Sequence, residues 1–526
     1  MPCHRNPNPL LQQTSIRLAE IISATILDVK KVKALNGYLE TLPSQLVEQV
    51  LDTSIRLYTR QCRRQENVAT LEVVQFGCSD RLLPSLPALI ENQVTPSMTR
   101  LDFTYLIHLG TLSANAFACF HQILEHCLRK TGNNLTTLNL KSPNSRTSLP
   151  FVNSAHFSIL SAHCPKLCYF DCSFVMGLKN EDLLDLSSGC PLLQFLYIYD
   201  CGFSDKYVKS VALTLTHLKE LGYKEMGSVL KKIAKENPET VLRFKHVNHL
   251  GGRMRKTSVS SLRFKRSLSE ATAKVCSQVT NLKVRVQDSD VEGLINLKNL
   301  TSVELLYNVG RPTTPALGTA SFLQSRGQNL TSVALICSAI SMVHIKLLGE
   351  SCPYLRSLWL RSNHFQVTKG GRCEEVPEEF LPTHNYFKNL QTLYFRVGEG
   401  ELALSFVPNY VLHYLLKNAG LGLRELIIAL RCYFMDDKYL CDLLIQRNLQ
   451  ALKKLIICVP GLNNLNAVIP LTMKSVNFVL DFCQGIKTMG NLLSWTLNKE
   501  EFEICQLSLE SNNYDIELIC RHTKFN

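Results

Sequence analysis

Residues able to do chemistry are plentiful in this chain of 526 residues, but few are spaced for it. There are 20 cysteines and 14 histidines. His163 beside Cys164 joins two metal-ligating types, yet Cys164 also fills a position in a recurring phrase described below. Cys432, Cys441 and Cys458 lack the spacing of a zinc site. The pairs Gly251-Gly252 and Gly370-Gly371 lack the strand-to-helix context of a phosphate-cradling loop. No His-Glu-x-x-His and no Gly-x-Ser-x-Gly occurs. Asp436-Asp437 reads as the start of a helix at Lys438, where carboxylates suit the N-terminal end of the helix dipole. No catalytic residue, metal ligand or cofactor is expected, and the chain does not read as an enzyme. Residues of another kind stand out: Tyr169, Tyr197, Tyr199, Trp359, Arg361, Tyr394 and Arg396. These are types that anchor protein interfaces when exposed.

Each of them lies in or beside one phrase that keeps returning, with apolar residues alternating around polar spacers. It reads LTTLNL from Leu135, LLQFLYI around Leu193, LRSLWL from Leu355, LQTLYF from Leu390, LRELII from Leu423 and LKKLII from Leu452. Alternation with a period of two predicts a short strand with one buried face. First leucines fall at 135, 167, 193, 218, 282, 300, 330, 355, 390, 423 and 452, with Leu101 and Leu262 as weaker candidates. The steps vary: 167 to 193 is 26, 355 to 390 is 35 and 282 to 300 only 18, so the register is open at the last. Recurrence at about 25 residues is the mark of a solenoid, because one unit cannot bury its own apolar face.

Between strands the spacing becomes helical. In LKNEDLLDLSSGCPLL a polar start precedes Leu183, Leu184 and Leu186; Gly189 reads as the helix stop and Pro191 as a block to continuation. Val208, Val211, Ala212 and Leu215 recur at i, i+3, i+4 and i+7. A third copy runs from Ser341 through Ile345, Leu347 and Leu348 to Gly349.

The units Cys164-Pro165-Lys166-Leu167, Cys190-Pro191-Leu192-Leu193 and Cys352-Pro353-Tyr354-Leu355 resemble the cysteine-containing subtype of leucine-rich repeat, the kind found with F-boxes, in which Cys-Pro-x-Leu opens the strand phrase. Cys172 and Cys201 match its second cysteine; Asn363 stands there in the third unit. The resemblance covers roughly residues 95 to 470 and is weakest between Gly222 and Asn281. It implies an α/β fold, a right-handed leucine-rich-repeat horseshoe with the strands lining its inner face. The interface residues named above would then meet a target protein, though some would face the core.

Residues 14 to 58 differ. Leu18, Ile21, Ile22, Ile26 and Val29 trace one helical face, Asn36-Gly37 is a turn, and Leu42-Pro43 opens a second helix striped by Leu46, Val47, Val50 and Leu51. Two such helices could simply cap the first repeat. They also resemble the adaptor-binding front end of cullin-RING ubiquitin-ligase substrate receptors. Leu18, Ile22 and Ile26 fit the spacing of the elongin-binding box, with Ile22 where cysteine is usual, and Leu42-Pro43 fits the cullin box. Leu42-Pro43-x-x-Leu46 equally opens an F-box, although the aromatic expected further on, often a tryptophan, is absent. The resemblance implies docking of an adaptor (elongin BC or the F-box adaptor) and a cullin through Leu18, Ile22, Ile26, Leu42, Pro43 and Leu46. A substrate receptor for a cullin-RING ligase is the first reading; a repeat scaffold without a ligase link is the alternative.

The apolar fraction of 45% suits a continuous core rather than disorder. The opening residues lack the apolar stretch and cleavage site of a signal peptide, so the cysteines read as reduced, buried and small. A cytoplasmic, or also nuclear, location follows. No apolar run reaches the roughly 18–20 residues of a membrane span. Asn134, Asn299 and Asn329 open Asn-Leu-Thr sequons, but each stands where asparagine suits the turn into a strand.

The net charge of +13 gathers partly between Arg253 and Lys274. That stretch, about 250–275, reads as a solvated insertion. It could also be an import patch, a dock for an acidic partner or, at Ser258, Ser267 and Ser269, a phosphorylation region. No zinc-finger or RNA-recognition motif is present, and nucleic acid is not an expected partner. The expected organisation is a tail over 1–13, a helical module over 14–95, repeats over 96–475 and a cap over 476–526, with strands at NLLSWTL and ICQLSLE.

Overall fold

The computed structural model describes residues 17, 42–55, 90, 93–104, 107, 114–142, 152–248, 266–307, 315–366, 386–398, 407–417, 419, 422–430, 434–459, 469–511 and 516–519. Contacts divide the chain into two compact units, the first comprising 7–261 and 274–279, the second 1–6, 262–273 and 280–526. Both are α/β, built from parallel strands in chain order with helices between them.

In the first unit the strands are β1 (Arg100–Asp102), β2 (Thr137–Asn139), β3 (Tyr169–Asp171), β4 (Phe195–Tyr197), β5 (Glu220–Gly222) and β6 (His246–Asn248). The helices are α1 (Ala114–Thr131), α2 (Ser154–His163), α3 (Asn180–Gly189), α4 (Asp205–Thr214) and α5 (Met226–Glu236). Leu101, Leu138, Phe170, Leu196 and Leu221 stand in register across five strands and are buried. Their neighbours in sequence point to the opposite face, as the pleat requires. The core lies between sheet and helices: Phe170 meets Phe157 of α2 edge to face at 5.7 Å, and Phe103 meets Phe120 of α1 at 6.0 Å.

Helix α6 (Arg266–Val275) straddles the boundary of the two units. In the second unit the strands are β7 (Asn281–Val286), β8 (Ser302–Tyr307), β9 (Ser332–Ser341), β10 (Ser357–Gln366), β11 (Thr392–Val397), β12 (Glu425–Ala429), β13 (Lys454–Cys458), β14 (Thr488–Gly490) and β15 (Glu517–Ile519). Its helices are α7 (Asp288–Val291), α8 (Leu317–Arg326), α9 (Met342–Ser351), α10 (Asn409–Leu416), α11 (Asp437–Gln446), α12 (Met473–Phe482) and α13 (Lys499–Ser511).

Several expectations need correction. The strand register makes Leu282 the equivalent of Val303, Val333 and Leu358. It is therefore the middle apolar residue of its phrase, and the buried Val279 takes the first position. The step of 18 arises because Leu282 stands three residues later in its phrase than Leu300 does in its own. Leu101 is likewise a middle residue, with Met98 buried ahead of it. Leu262 lies outside the described residues. The stretch between Gly222 and Asn281 holds regular elements, β6 with Phe244 and Val247 buried and α6 with Leu268 and Val275 buried. Phenylalanine and valine had replaced the leucines that made the phrase visible. The expected insertion thus ends in a helix, and Ser269, fully buried there, is no exposed phosphorylation site.

The strands expected at NLLSWTL and ICQLSLE are absent. Leu492–Ser494 is a 3-10 turn and ICQLSLE lies in α13. Asn498 and Glu501 bond each other's backbone N–H groups there, a capping box that starts the helix, and Cys505 and Leu509 form its buried stripe at i, i+4. The short alternation fitted either period, and the cap decided it. Helix α3 ends at Gly189 as expected, but without a left-handed φ, and a Cβ on it would stand 2.2 Å from the Ser161 carbonyl oxygen of α2. The absent side chain lets two consecutive helices touch.

Polar side chains stitch consecutive strand–helix segments together. Asp437 accepts from the Thr472 N–H and hydroxyl at 2.8 and 2.6 Å and from the Ser475 hydroxyl at 2.6 Å. Asp288 does the same for Ala316, Gly318 and Thr319 at the start of α8. Asp205 holds Tyr223, Ser228 and Lys232. Of the expected acidic pair, Asp436 caps α11 through the Tyr439 N–H, while Asp437 reaches across to α12. Cys190 Sγ donates to the Leu160 carbonyl and Cys483 Sγ to that of Leu449. The Asn134 amide donates to the Pro96 carbonyl at 3.0 Å.

Candidate protein-binding faces

The strand residues that alternate with the core row form a second face in each unit. In the first, Thr137, Tyr169, Phe195 and Glu220 stand in one register row and Asn139, Asp171, Tyr197 and Gly222 in the next. Tyr199 follows Tyr197 two residues on. The rings pack into a continuous strip: Tyr169 to Phe195 6.3 Å, Tyr169 to Tyr197 5.5 Å, Tyr197 to Tyr199 6.4 Å between centroids. Gly222 makes the strip possible, because a Cβ there would stand 2.4 Å from the Tyr197 ring and 2.7 Å from that of Tyr199. Burial and then the carboxylates of Asp171, Asp102 and Glu220 push the Tyr169 phenol up to about 12. Burial, then Glu220, which accepts a hydrogen bond from the phenol, raises Tyr197; burial, then Glu220 and Asp171, raises Tyr199. These hydroxyls are donors throughout the physiological range.

In the second unit Lys283, Glu304, Ala334, Trp359, Tyr394, Ile427, Ile456, Gly490 and Ile519 form one row across nine strands. Lys283 bonds Glu304 at 2.9 Å. Trp359 stacks on Tyr394 at 4.7 Å and 17° between planes, and Tyr394, Ile427 and Ile456 form a buried apolar cluster against which Ile519 packs. Trp359 itself is 42% exposed. Arg361 and Arg396 are partners in the next row, and both act on the Tyr394 phenol. A large exposed ring beside two guanidinium groups on a rigid sheet is the composition of an interface hot spot.

No known family profile matches this chain, and no curated protein matches it. The chain is similar to a solved structure described as the crystal structure of the Rad7 and Elc1 complex in yeast, with 14% identity, a TM-score of 0.31 and coverage of 62% of this chain and 92% of that one.

The sequence-predicted target residues divide in two. Tyr169, Tyr197, Arg361 and Arg396 are half-buried and Trp359 is exposed, all at spacer positions. Tyr199 and Tyr394 are on the same face but buried, so they support the exposed rings. Sequence reasoning missed Phe195, Asp171, Glu220, Gly222, Ile427 and Ile456. All of them lie at spacer positions of aligned phrases, and that alignment was the signal that could have found them.

Of the predicted adaptor residues, Leu18, Ile22 and Ile26 lie outside the described residues. Leu42 is half-buried and Pro43 exposed, with the Pro43 carbonyl accepting from Leu46 and Val47 at the start of a helix over 44–55. Leu46 is a correction: it is 6% exposed, on the stripe of Val47, Val50, Leu51 and Ile55 that the chain buries itself. Glu48 of this helix accepts from the Thr99 N–H and hydroxyl and the Arg100 N–H, which ties it to the start of β1. Glu48 thus anchors this helix to the first residues of β1.

Among the described residues no three His, Cys, Asp or Glu side chains gather as a metal site, and no helix is long and apolar enough to cross a membrane. The described cysteines are free thiols, buried except for Cys168 and Cys441.

Proposed function

We propose that this chain is a non-catalytic receptor that holds a target protein on the spacer face of its strands and presents it to a ubiquitin ligase. In this reading the two units belong to a right-handed leucine-rich-repeat solenoid. The N-terminal module recruits elongin BC or the F-box adaptor and, through it, a cullin. The RING partner brings the ubiquitin-conjugating enzyme, and the receptor speeds transfer only by raising the target's effective concentration. The work would take place in the cytoplasm and nucleus.

The observation that carries the binding half is Trp359, exposed and stacked on Tyr394 beside Arg361 and Arg396. A sheet that only needed solubility would put small polar residues there. The ligase half rests on the resemblance of residues 14–58. Its contact surface is now narrower: Leu18, Ile22, Ile26, Leu42 and Pro43, without the buried Leu46. Each apolar anchor buried in an adaptor groove is worth roughly 1.5–3 kcal/mol before association costs.

The test is capture of the intact chain by purified elongin BC and, separately, by the F-box adaptor. One of the two should bind, and Leu18→Asp with Leu42→Asp should abolish it while the far-ultraviolet spectrum stays unchanged. If neither adaptor binds the intact chain, the ligase reading fails and the scaffold without a ligase link takes its place.

A further inference from the structure

We propose that His156 and His344 are acid-sensitive joints, one in each unit, which hold a helix to the strand–helix segment before it only while their rings are neutral. The proposal goes beyond the receptor reading and does not depend on it. Each histidine is the third residue of its helix, α2 or α9, where a capping box ordinarily places glutamate or glutamine. The Asn153 N–H donates to His156 Nδ1 at 3.2 Å and the Ser341 N–H to His344 Nδ1 at 3.0 Å. A backbone N–H can only donate, so both Nδ1 atoms are unprotonated and each ring carries its single proton on Nε2.

The Nε2 atoms face the preceding segment. His344 Nε2 donates to the Pro315 carbonyl at 2.7 Å, just ahead of α8, and His156 Nε2 lies 3.4 Å from the His121 carbonyl oxygen in α1. Each ring thus bridges its own helix start and the segment before it, and the same circuit occurs in both units. A proton arriving at Nδ1 would set N–H against N–H at the cap, and the helix would lose the bond that fixes its first turn. The surroundings resist that proton: His156 is 3% exposed, His344 is half-buried, and burial above all lowers both rings from the ordinary histidine value.

The charged neighbours do not reverse this. Around His156, the His121 ring of α1 stacks at 4.9 Å and 24° and opposes a positive charge, while Glu125 of α1 favours one from its exposed pair with Arg129. Asp182 of α3 is held by the Ser154 hydroxyl at 2.9 Å and the Lys179 N–H at 2.8 Å, and His163 stands at the far end of α2. Around His344, Asp288 favours the charged ring, but its carboxylate already accepts from Ala316, Gly318 and Thr319. Arg326 at the other end of α8 bonds the Ile295 carbonyl, and Lys346 and Glu350 pair at 3.9 Å further along α9. Since the folded value of each ring lies below the unfolded one, the neutral rings add stability above the ordinary histidine range, and that stability is lost as pH falls through the folded value.

The test is amide hydrogen exchange of the intact chain, read by mass spectrometry from about pH 7.5 to about pH 5, each rate taken relative to the urea-unfolded chain at the same pH. Segments at the starts of α2 and α9 should lose protection several-fold across this range, whereas α4 and α12, which contain no histidine, should keep theirs. His156→Gln with His344→Gln supplies the usual capping-box acceptor and has no proton to gain in this range, so α2 and α9 should then stay protected down to about pH 5. The inference is overturned if α2 or α9 of the wild type loses protection no faster than α4 and α12, a comparison that needs no variant to fold. It is equally overturned if the glutamine variant, with an unchanged far-ultraviolet spectrum, shows the wild-type loss.

Discussion

Gly189→Ala tests whether the helices are set by close backbone approach. An ideal Cβ on Gly189 falls 2.2 Å from the Ser161 oxygen, 2.4 Å from its Cα and 2.6 Å from its carbonyl carbon. All three are backbone atoms of α2, so no side chain can rotate away. Ordinary contact needs about 3.4 Å or more, so α2 and α3 must part by about 1 Å, and overpacking of this kind costs roughly 1–3 kcal/mol. Against that stands the helix preference of alanine over glycine, at most ~1 kcal/mol and less at the last residue of a helix. The steric effect wins, and urea denaturation followed by circular dichroism should show a lower midpoint. Asparagine separates this cause from a left-handed turn. Gly202 has φ +86° with nothing within 4 Å of a Cβ, so Gly202→Asn should be milder than Gly202→Ala. At Gly189 the order should reverse, since asparagine is larger. An unchanged or raised midpoint for Gly189→Ala would refute the reasoning.

Acid should weaken the stitching between consecutive strand–helix segments. Although burial alone would raise them, the hydrogen bonds that Asp205, Asp288 and Asp437 accept hold these carboxyls below their usual range. A depressed folded pKa gives stability that is present above the unfolded value and lost as pH falls through the folded one. Urea midpoints should therefore fall below the ordinary carboxylate range, and Asp437→Asn should flatten that fall. The two tryptophans should separate by quenching: Trp359 is exposed, whereas Trp495 is 2% exposed and donates to the Ile457 carbonyl, so Trp359→Phe should leave emission that acrylamide barely reaches. Burial pushes the thiols of Cys164, Cys190, Cys337, Cys352, Cys458 and Cys483 up to about 12, so a thiolate-directed reagent should leave these six unmodified in the native protein and react with them in urea.

Strand positions were legible because burial with a period of two leaves its mark in leucines. Leu138, Leu196, Leu358, Leu393, Leu426 and Leu455 all lie where the phrase put them. The phrase failed where another apolar residue does the same work, as at Phe244, Val247 and Val279. It also failed where a cap outweighs a short alternation, as in α13. The role of Gly189 was not legible, because a glycine that ends a helix and one that lets two helices touch look alike in sequence. Only the neighbouring unit distinguishes them. For the same reason the spacer residues could be assigned to a face but not to exposure. Trp359 and Tyr394 are equivalent in register, yet the isoleucines of β12 and β13 lie beyond Tyr394 and bury it.

That asymmetry bears on how such a fold can carry binding. The leucine row and the carboxylate stitches fix the spacing of the strands, and neither uses the spacer positions. Those positions can therefore change with little cost to the core, since a substitution at Trp359 removes a ring that is partly in water already. Where a spacer residue is buried, this freedom is lost. Asp171 is such a case, its carboxyl pushed up by burial although it accepts from the Ser173 N–H. A raised carboxyl pKa means that the ionised form is the less favourable one in the folded protein, so neutral pH is where Asp171 costs stability.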